Sequence, residues 1–233
     1  MGSGPSLRVA TWNIHDGVGR GGVRDVARVA RVITTLDAPL VGLQEVGCGP
    51  EHACDAADLA AATGLDWRAI RTRGHADVHY GNVLLTSLPV VAVRSHDLSI
   101  DGREPRAALE VDVEWERRLV RVVVTHLGLR AGERRRQVAR LLTVVRDADA
   151  AMTVLLGDIN EWFIWGRPLR WLHRRFGVHP APRTFPSRMP VVALDRVWAH
   201  PRDTLSSITA VTDGEARLAS DHLPVVATLR LPP

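Results

Sequence analysis

The chain has no lysine, and all 30 of its basic residues are arginine. Cysteine is scarce as well: Cys48 and Cys54 are too few for a disulfide scaffold and lack the paired spacing of a zinc site, so we expect reduced thiols. No apolar run approaches the ~20 residues of a membrane-spanning helix, and residues 1–6 lack the charged and apolar regions of a signal peptide. These absences argue against a membrane-spanning or disulfide-rich protein and predict a cytoplasmic location.

The 233 residues are 45% apolar and 24% charged, which is typical of a globular protein and argues against disorder. The net charge of +4 conceals an asymmetry between the two halves. Residues 1–116 contain 11 arginines against 16 acids, whereas residues 117–233 contain 19 arginines against 10 acids. Because the arginine fork suits phosphate and carboxylate groups, we expect an anionic partner to contact the second half.

Short apolar runs bounded by Gly, Pro, Asp and Ser predict strands over Leu7–Trp12, Leu40–Gln44, Asn82–Thr86, Val90–His96, Ala107–Val113, Leu119–Thr125, Thr153–Leu156, Asp195–Ala199 and Val225–Leu229. Helical spacing and end signals predict helices over Val23–Leu36, Ala56–Thr63, Gly132–Asp147 and Arg167–Phe176. No repeat or linker interrupts the pattern. We therefore predict a flexible tail over residues 1–6 and a single domain over residues 7–233, with β-rich layers inside and helices outside.

Polar residues stand where these apolar runs end, and loops held by a rigid sheet are common places for functional sites. They are Asn13, Glu45, His126, Asp158, Asn160, Asp195, Asp221 and His222. Carboxylates supported by amides suit a hard cation such as Mg²⁺ or Mn²⁺, and the two histidines add acid–base groups near neutral pH. Each residue alone has a plainer explanation, such as a turn cap or a solvated charge. Together they match what phosphoester hydrolysis needs.

In these motifs the chain resembles the endonuclease/exonuclease/phosphatase superfamily, which contains deoxyribonucleases, exonuclease III-like repair enzymes, neutral sphingomyelinases and inositol-polyphosphate 5-phosphatases. The motifs run from Trp12 to Pro224, nearly the whole chain. The resemblance implies an α/β (α+β) fold: a four-layered α/β-sandwich of two packed, mainly antiparallel β-sheets flanked by helices. It also implies a Mg²⁺- or Mn²⁺-dependent hydrolase of phosphoester bonds, with its site where loops converge at one edge.

The resemblance implies a role for each residue of the site. Glu45 is the principal metal ligand, and Asn13 lies beside the metal and helps to orient the site. Asp221 lies near the metal or the histidine. Asp158 and Asn160 position the attacking water and hold the phosphate. Asp195 orients His222, which acts as a general base or contacts the phosphate. His126, in Thr125-His126-Leu127, is similar to the branch containing deoxyribonuclease, sphingomyelinase and 5-phosphatase, which disfavours an abasic-site nuclease.

Two more segments resemble phosphate-contacting parts of the family. One contains Asn82, in Tyr80-Gly-Asn82, and the other contains Arg103 and Arg106 around Pro105. The plainer alternative for the second segment is a turn that carries two solvated arginines.

The most unusual segment is residues 161–177, where Trp162, Phe163, Ile164 and Trp165 precede the predicted basic helix that begins at Arg167. One interpretation places these apolar residues in an anionic membrane surface, next to a lipid-linked substrate. In the other, arginines follow a nucleic-acid backbone and a tryptophan stacks on an unpaired base. A third possibility is that the apolar face is core and the arginines are a solvated rim.

The sequence therefore predicts a monomeric, metal-dependent phosphoester hydrolase. A lipid-linked or small phosphodiester is slightly favoured as substrate, which would place the protein in the cytoplasm or peripherally at a membrane. A Mg²⁺-dependent DNA or RNA nuclease is the alternative, and a non-enzymatic phosphate-binding module on the same fold is a third.

Overall fold

Two β-sheets pack face to face in the computed structural model, which describes residues 5–48, 54–71, 79–145 and 150–230. The six-stranded sheet has the order β10-β11-β1-β2-β4-β3, and the five-stranded sheet has the order β5-β6-β7-β8-β9. Only β1–β2 and β7–β8 pair in parallel among the described strands. The predicted sandwich of mainly antiparallel sheets flanked by helices is confirmed.

The strands are β1 (Ser6–Asn13), β2 (Leu40–Cys48), β3 (Asp66–Arg71), β4 (His79–Thr86), β5 (Val90–Asp97), β6 (Ala107–Trp115), β7 (Arg118–His126), β8 (Met152–Asp158), β9 (Asp195–His200), β10 (Leu205–Ala210) and β11 (Val225–Arg230). The α-helices are α1 (Val26–Leu36), α2 (Asp55–Thr63), α3 (Ala131–Val144), α4 (Arg167–Phe176) and α5 (Ala216–Ala219).

Three apolar layers hold the sandwich together. The central layer joins the inner faces of the two sheets, with Val9 and Leu84 on one side and Val122 and Leu156 on the other. The second layer packs α1, α2 and α5 on the six-stranded sheet, and the third packs α3 and α4 on the five-stranded sheet. Since the central strands of each sheet are covered on both faces, their polar side chains can reach solvent where the strands end.

The nine predicted strands are all present, but two strands were missed. β3 and β10 are the two edges of the six-stranded sheet, so each pairs on one side only. Their residues are only partly buried; β10 has half-buried and exposed positions and no buried one. The weak apolar pattern of such edges is the reason that the sequence did not reveal them.

Helix bounds differ from prediction at their polar ends. The first helix begins at Val26 rather than Val23, because the Asp25 carboxylate caps it by accepting a hydrogen bond from Arg28 N at 2.8 Å. The third helix ends at Val144, and the predicted extension over 146–147 lies outside the described residues. The predicted fourth helix is confirmed over Arg167–Phe176, with Pro168 in its first turn and Gly177 as its C-cap.

The structure also bears on the predictions of reduced cysteines, of no membrane-spanning helix and of a flexible N-terminal tail. Cys54, which immediately precedes α2, is disulfide-bonded, so the expectation of a reduced thiol there is wrong. The sequence spacing carried no signal for that bond, because a pairing depends on how the chain folds back. Within the described residues, no helix has the length and apolarity needed to cross a bilayer. The predicted N-terminal tail lies largely outside the described residues.

Candidate active site

Three neighbouring strands of the five-stranded sheet place polar side chains in one row. β7 and β8 run parallel with His126 opposite Asp158, and β9 runs antiparallel to β8 with Asp195 opposite Asp158. The close approach of β7 to β8 requires Gly157, because a Cβ there would lie 1.9 Å from the carbonyl oxygen of Thr125. The row of His126, Asp158 and Asp195 is therefore a consequence of strand register.

Glu45 reaches the same place from the six-stranded sheet through an irregularity in β2. The pairing of β2 with β4 shifts register between Leu43 and Val46, and Glu45 has a φ of 55°. A bulge of this kind turns a side chain out of the regular alternation. Gln44 is consequently buried against Thr11, while the carboxylate of Glu45 opens towards the five-stranded sheet.

Asn13, at the end of β1, joins the acids of the two sheets. Its Nδ2 donates to Glu45 Oε1 at 2.9 Å and to Asp158 Oδ2 at 3.1 Å. Its Oδ1 accepts from the backbone nitrogen of His15 at 3.0 Å, which sets the orientation of the amide. Asn13 therefore holds two carboxylates side by side at the point where the sheets meet.

Asp195 and His222 form a buried pair behind Asp158. His222 Nδ1 lies 2.8 Å from Asp195 Oδ2, so Nε2 is the ring nitrogen that faces Asp158, at 3.8 Å from its Oδ2. The backbone of His222 is held from two sides: Trp12 Nε1 donates to its carbonyl oxygen, and its nitrogen donates to Ser220 Oγ. This network fixes the direction of the imidazole.

His126 faces Asp158 from the other side. Its Nε2 lies 3.5 Å from Asp158 Oδ2 and 3.8 Å from Glu45 Oε1, and Asn160 Nδ2 lies 3.0 Å from the same nitrogen. The guanidinium of Arg106 contacts Nδ1 at 3.1 Å, and its other amino group donates to Glu104. Two imidazole rings therefore converge on one carboxylate.

Burial and neighbouring charges separate the pKa values of these groups. Burial and the nearby Asp195 carboxylate raise the pKa of Asp158 to about 7. Burial opposes charge on His222, but the carboxylates of Asp195, Asp158 and Asp221 raise its pKa to about 10. Burial, Arg106 and His222 hold the pKa of His126 well below its usual range. Groups with such opposed shifts are typical of functional sites.

The donor set suits a hard divalent cation. Glu45 and Asp158 present carboxylate oxygens beside one another, with an amide between them, which is the oxygen-rich chemistry that Mg²⁺ and Mn²⁺ prefer. Asp158, Asp195 and His222 also have ligand atoms within 4.8 Å of one another and can hold a metal. Of the two sets we favour the first, because Asp195 is already bonded to His222 and lies behind it.

A cavity of about 520 Å³ opens onto these groups. Nine predicted site residues line it: Asn13, Glu45, Arg106, His126, Asp158, Asn160, Trp162, Asp221 and His222. Asp195 lies behind His222, in hydrogen-bond contact with its ring. Asp221 is partly exposed at the rim, 3.8 Å from His15 Nδ1.

Four predicted substrate contacts do not line this cavity. Asn82 is buried on β4 and donates to the carbonyl oxygen of Ala107 at 2.8 Å. Arg103 is exposed in the turn before β6, and Trp165 and Arg167 are exposed beyond Trp162. The sequence could not show these placements, because they depend on how the strand and the loops fold relative to the cavity.

The sequence reasoning missed several residues of the site. Phe185 packs its ring 4.9 Å from that of His222, and Thr184 donates a hydrogen bond to Asp195. Both lie in the loop between α4 and β9, which has no repeating pattern in the sequence. His15, Asp16, Glu104 and Leu129 also line the cavity. Their positions next to the predicted motifs were the only available signal.

The two-sheet sandwich and the acid–histidine site at its edge define a class of phosphoester-processing proteins. Comparison with protein families matches residues 10–222 to the Endonuclease/Exonuclease/phosphatase family. The chain belongs to this family, as its motifs implied. Its members are hydrolases that act on phosphoester bonds, and the fold is typically dependent on divalent metal.

The chain is also similar to individual relatives and solved structures. The uncharacterised protein YbhP of Escherichia coli K12 is 30% identical over 247 residues, covering 97% of each chain. A family protein from Bacteroides vulgatus has a TM-score of 0.79 and 18% identity, covering 98% of this chain and 100% of its own. TDP2 of D. rerio, solved with a single-strand DNA product, has a TM-score of 0.71 and 17% identity, covering 96% and 98%. The likeness to the two solved structures shows the fold.

Proposed function

We propose that this protein is a Mg²⁺- or Mn²⁺-dependent phosphoester hydrolase whose site comprises Glu45, Asp158 and the two histidines. The observation that supports it most strongly is the bridging of Glu45 and Asp158 by Asn13, at 2.9 and 3.1 Å. Two carboxylates kept together at the mouth of a cavity repel each other unless a cation or a proton lies between them. Such an arrangement contributes little to the stability of the fold, whereas it favours the binding of a metal ion.

In this proposal Glu45, assisted by Asp158, Asn13 and Asp221, holds the cation. When bound, the cation neutralises nonbridging phosphate oxygens and lowers the pKa of water. Orientation of the water and proton transfer are left to side chains that surround the same carboxylates.

Asp158 and Asn160 would orient the attacking water. The backbone nitrogen of Asn160 donates to Asp158 Oδ1 at 2.8 Å and so fixes the direction of this carboxylate. Nε2 of His222 points towards this place with Asp195 supporting its opposite nitrogen, which is the arrangement of an oriented acid–base group. Nε2 of His126 lies on the other side of Asp158, where it can contact a phosphate oxygen or the leaving group. Arg106 positions that ring through Nδ1.

A lipid-linked or small phosphodiester is the substrate that we favour. The wall of the cavity is apolar where Trp162, Phe185, Leu129 and Leu194 line it, and polar at the carboxylates. A substrate that joins a phosphodiester to an apolar or uncharged group fits that division. The protein would act as a monomer at a membrane surface.

A DNA or RNA nuclease is the alternative. One observation favours it: TDP2 of D. rerio, which shares the fold, was solved with a single-strand DNA product. Incubation of supercoiled plasmid with the protein and Mg²⁺ distinguishes the two, because a nuclease nicks the plasmid whereas an enzyme for small phosphodiesters leaves it intact.

The test of the proposal is hydrolysis of bis-p-nitrophenyl phosphate with and without Mn²⁺. We expect metal-dependent turnover that falls by at least about 100-fold in Glu45→Ala and in Asp158→Ala, because each removes a group that acts on the transition state. Glu114→Ala, which removes an exposed acid on β6, is the matched control and should keep full activity. Folded Glu45 and Asp158 variants that retain wild-type turnover would refute the proposal.

A further inference from the structure

Beyond the cavity wall, the loop that follows Asn160 presents an apolar tip to solvent. Phe163, Ile164 and Trp165 are 54%, 75% and 68% exposed, and Leu129 from the neighbouring loop is 69% exposed. Phe163 and Trp165 contact each other, with ring centroids 5.4 Å apart. We refer to Leu129 and Phe163–Trp165 as the apolar tip. Clustered exposure of this kind is unusual on a monomer and marks an interaction surface.

The two loops that form the apolar tip are held in place next to the active site. A buried ion pair, Arg134 Nε to Glu161 Oε2 at 3.2 Å, joins the start of α3 to the loop. Arg134 also donates to the carbonyl oxygen of Leu129 at 2.6 Å, and Glu161 Oε1 accepts from the backbone nitrogen of Phe163 at 3.1 Å. The two loops that form the tip are therefore held side by side by one pair of charges.

The tip is also connected to the catalytic groups. Trp162 packs edge-on against Phe185 with ring centroids 5.8 Å apart, and Phe185 packs against His222. Trp162 thus belongs to the cavity wall, and the three residues after it project beyond the mouth. Whatever the tip contacts lies directly beside the entrance to the cavity.

Exposed arginines follow the tip along the chain, on α4. Arg167, Arg170 and Arg174 are exposed and occupy one face of the helix, while Leu169, Leu172 and Phe176 are buried on the other. Within the described part of the chain, none of these three arginines forms an ion pair. Their charges are therefore available to an anionic partner.

We propose that the apolar tip and the α4 arginines together dock this enzyme on an anionic lipid bilayer, so that its substrate is a phosphodiester held in that bilayer. This inference rests on the proposed function, whose active site it places at the bilayer surface. Apolar side chains that enter the interface next to arginines that meet anionic headgroups are the two components of peripheral membrane binding.

The make-up of the tip favours a bilayer over nucleic acid. Bases stack on aromatic faces, but the most exposed residue of the tip is Ile164, which has no such face. The rings of Phe163 and Trp165 are already in contact with each other, and Trp162 is packed on Phe185. Aliphatic and aromatic groups mixed in one projecting tip gain most by entering the interfacial region of a membrane.

Cosedimentation of the full chain with vesicles tests the inference without turnover. Vesicles of phosphatidylcholine with phosphatidylglycerol should bind the protein, and vesicles of phosphatidylcholine alone should bind it much less. Phe163→Ala/Ile164→Ala should weaken binding at least about tenfold through lost apolar burial. Arg170→Gln/Arg174→Gln should weaken it roughly 30-fold through lost attraction to the anionic surface.

Two controls separate docking from catalysis. Val91→Ala removes an exposed aliphatic side chain from β5, away from the tip, and should bind vesicles like the wild type. Phe163→Ala/Ile164→Ala should hydrolyse bis-p-nitrophenyl phosphate at the wild-type rate, since neither residue lines the cavity. Glu45→Ala should still bind vesicles, so failure of the proposed chemistry would leave this result standing.

Three outcomes would overturn docking on a bilayer. The first is absence of cosedimentation at low salt, or cosedimentation that the tip variant does not change. The second is binding of a single-stranded oligonucleotide, without binding of vesicles, that the same variants weaken. The third is a wild-type dimer that Phe163→Ala/Ile164→Ala converts to a monomer in sedimentation velocity, which would assign the tip to a second copy of this chain.

Discussion

The side chains of this site are oriented by hydrogen bonds with their neighbours. Asn13 donates one amide group to two carboxylates, and Asp195 never reaches the cavity but sets the ring of His222. The pKa values follow from these contacts, because burial alone would discharge both histidines. His222 is kept charged by Asp195, whereas His126, which faces Arg106, is not.

The first prediction concerns the charge of His222 in metal-free protein. Its raised pKa means that the charged ring stabilises the folded state fully below about pH 6.5 and loses that contribution as pH rises through about 10. Asp195→Asn removes the main cause, so the variant should have a lower His222 pKa and a flatter stability curve between these pH values. Histidine NMR titration and denaturant unfolding in EDTA measure both.

Titration of His222 near its ordinary pKa of 6.5 in the wild type would contradict the role assigned to Asp195.

At the scale of elements, the site depends on where strands end and how closely they approach. The second prediction is that Gly157→Ala disrupts the β7–β8 contact, since its Cβ would lie 1.9 Å from a backbone oxygen and its φ of 142° is strained for alanine. We expect a loss of roughly 2–4 kcal/mol in the free energy of unfolding. Turnover should fall too, because His126 and Asp158 would lose their register.

Gly64→Ala is the matched substitution for this test. Gly64 also has a positive φ, of 70°, but a Cβ there would meet no atom within 4 Å. Its cost should therefore be limited to the backbone term of about 1–2 kcal/mol, with turnover unchanged. Equal losses for the two variants, measured by denaturant unfolding, would show that the approach of β7 to β8 is not the cause.

The sequence predicted buried elements well and irregular ones poorly. Central strands such as β7 and β8 have continuous apolar runs, and helix α4 has a proline and a glycine at its ends. The edges β3 and β10 have a weaker pattern because one side of each strand has no partner. Alternation of side chains cannot reveal the bulge at Glu45, where the strand continues to Cys48 although the pattern ends at Gln44.

At the scale of the whole molecule, the site exists only because the two sheets meet. Asn13 and Glu45 come from the six-stranded sheet, and His126, Asp158 and Asp195 come from the five-stranded sheet. Motifs scattered along the chain could be assigned to one site from the sequence by resemblance. Thr184 and Phe185 could not, because only the folded loop before β9 brings them to His222.

The structure shows where the charges of the basic second half and the acidic first half of the chain lie. The arginines of the second half include the exposed face of α4 next to the cavity, and the acids of the first half include Glu45 within it. The disulfide at Cys54 bears on where the protein acts, since such bonds persist mainly in oxidising compartments. It does not favour the predicted cytoplasmic location.

In our proposal Glu45 and Asp158 bind a divalent cation for phosphoester hydrolysis. Calorimetric titration of the metal-free protein with Mn²⁺ tests the binding of the cation directly. The wild type and Glu114→Gln should bind Mn²⁺ alike. Glu45→Gln should bind at least about tenfold more weakly, because a neutral amide replaces a charged ligand of nearly the same shape. Equal affinity of Glu45→Gln and the wild type for Mn²⁺ would contradict the role of Glu45 as a metal ligand.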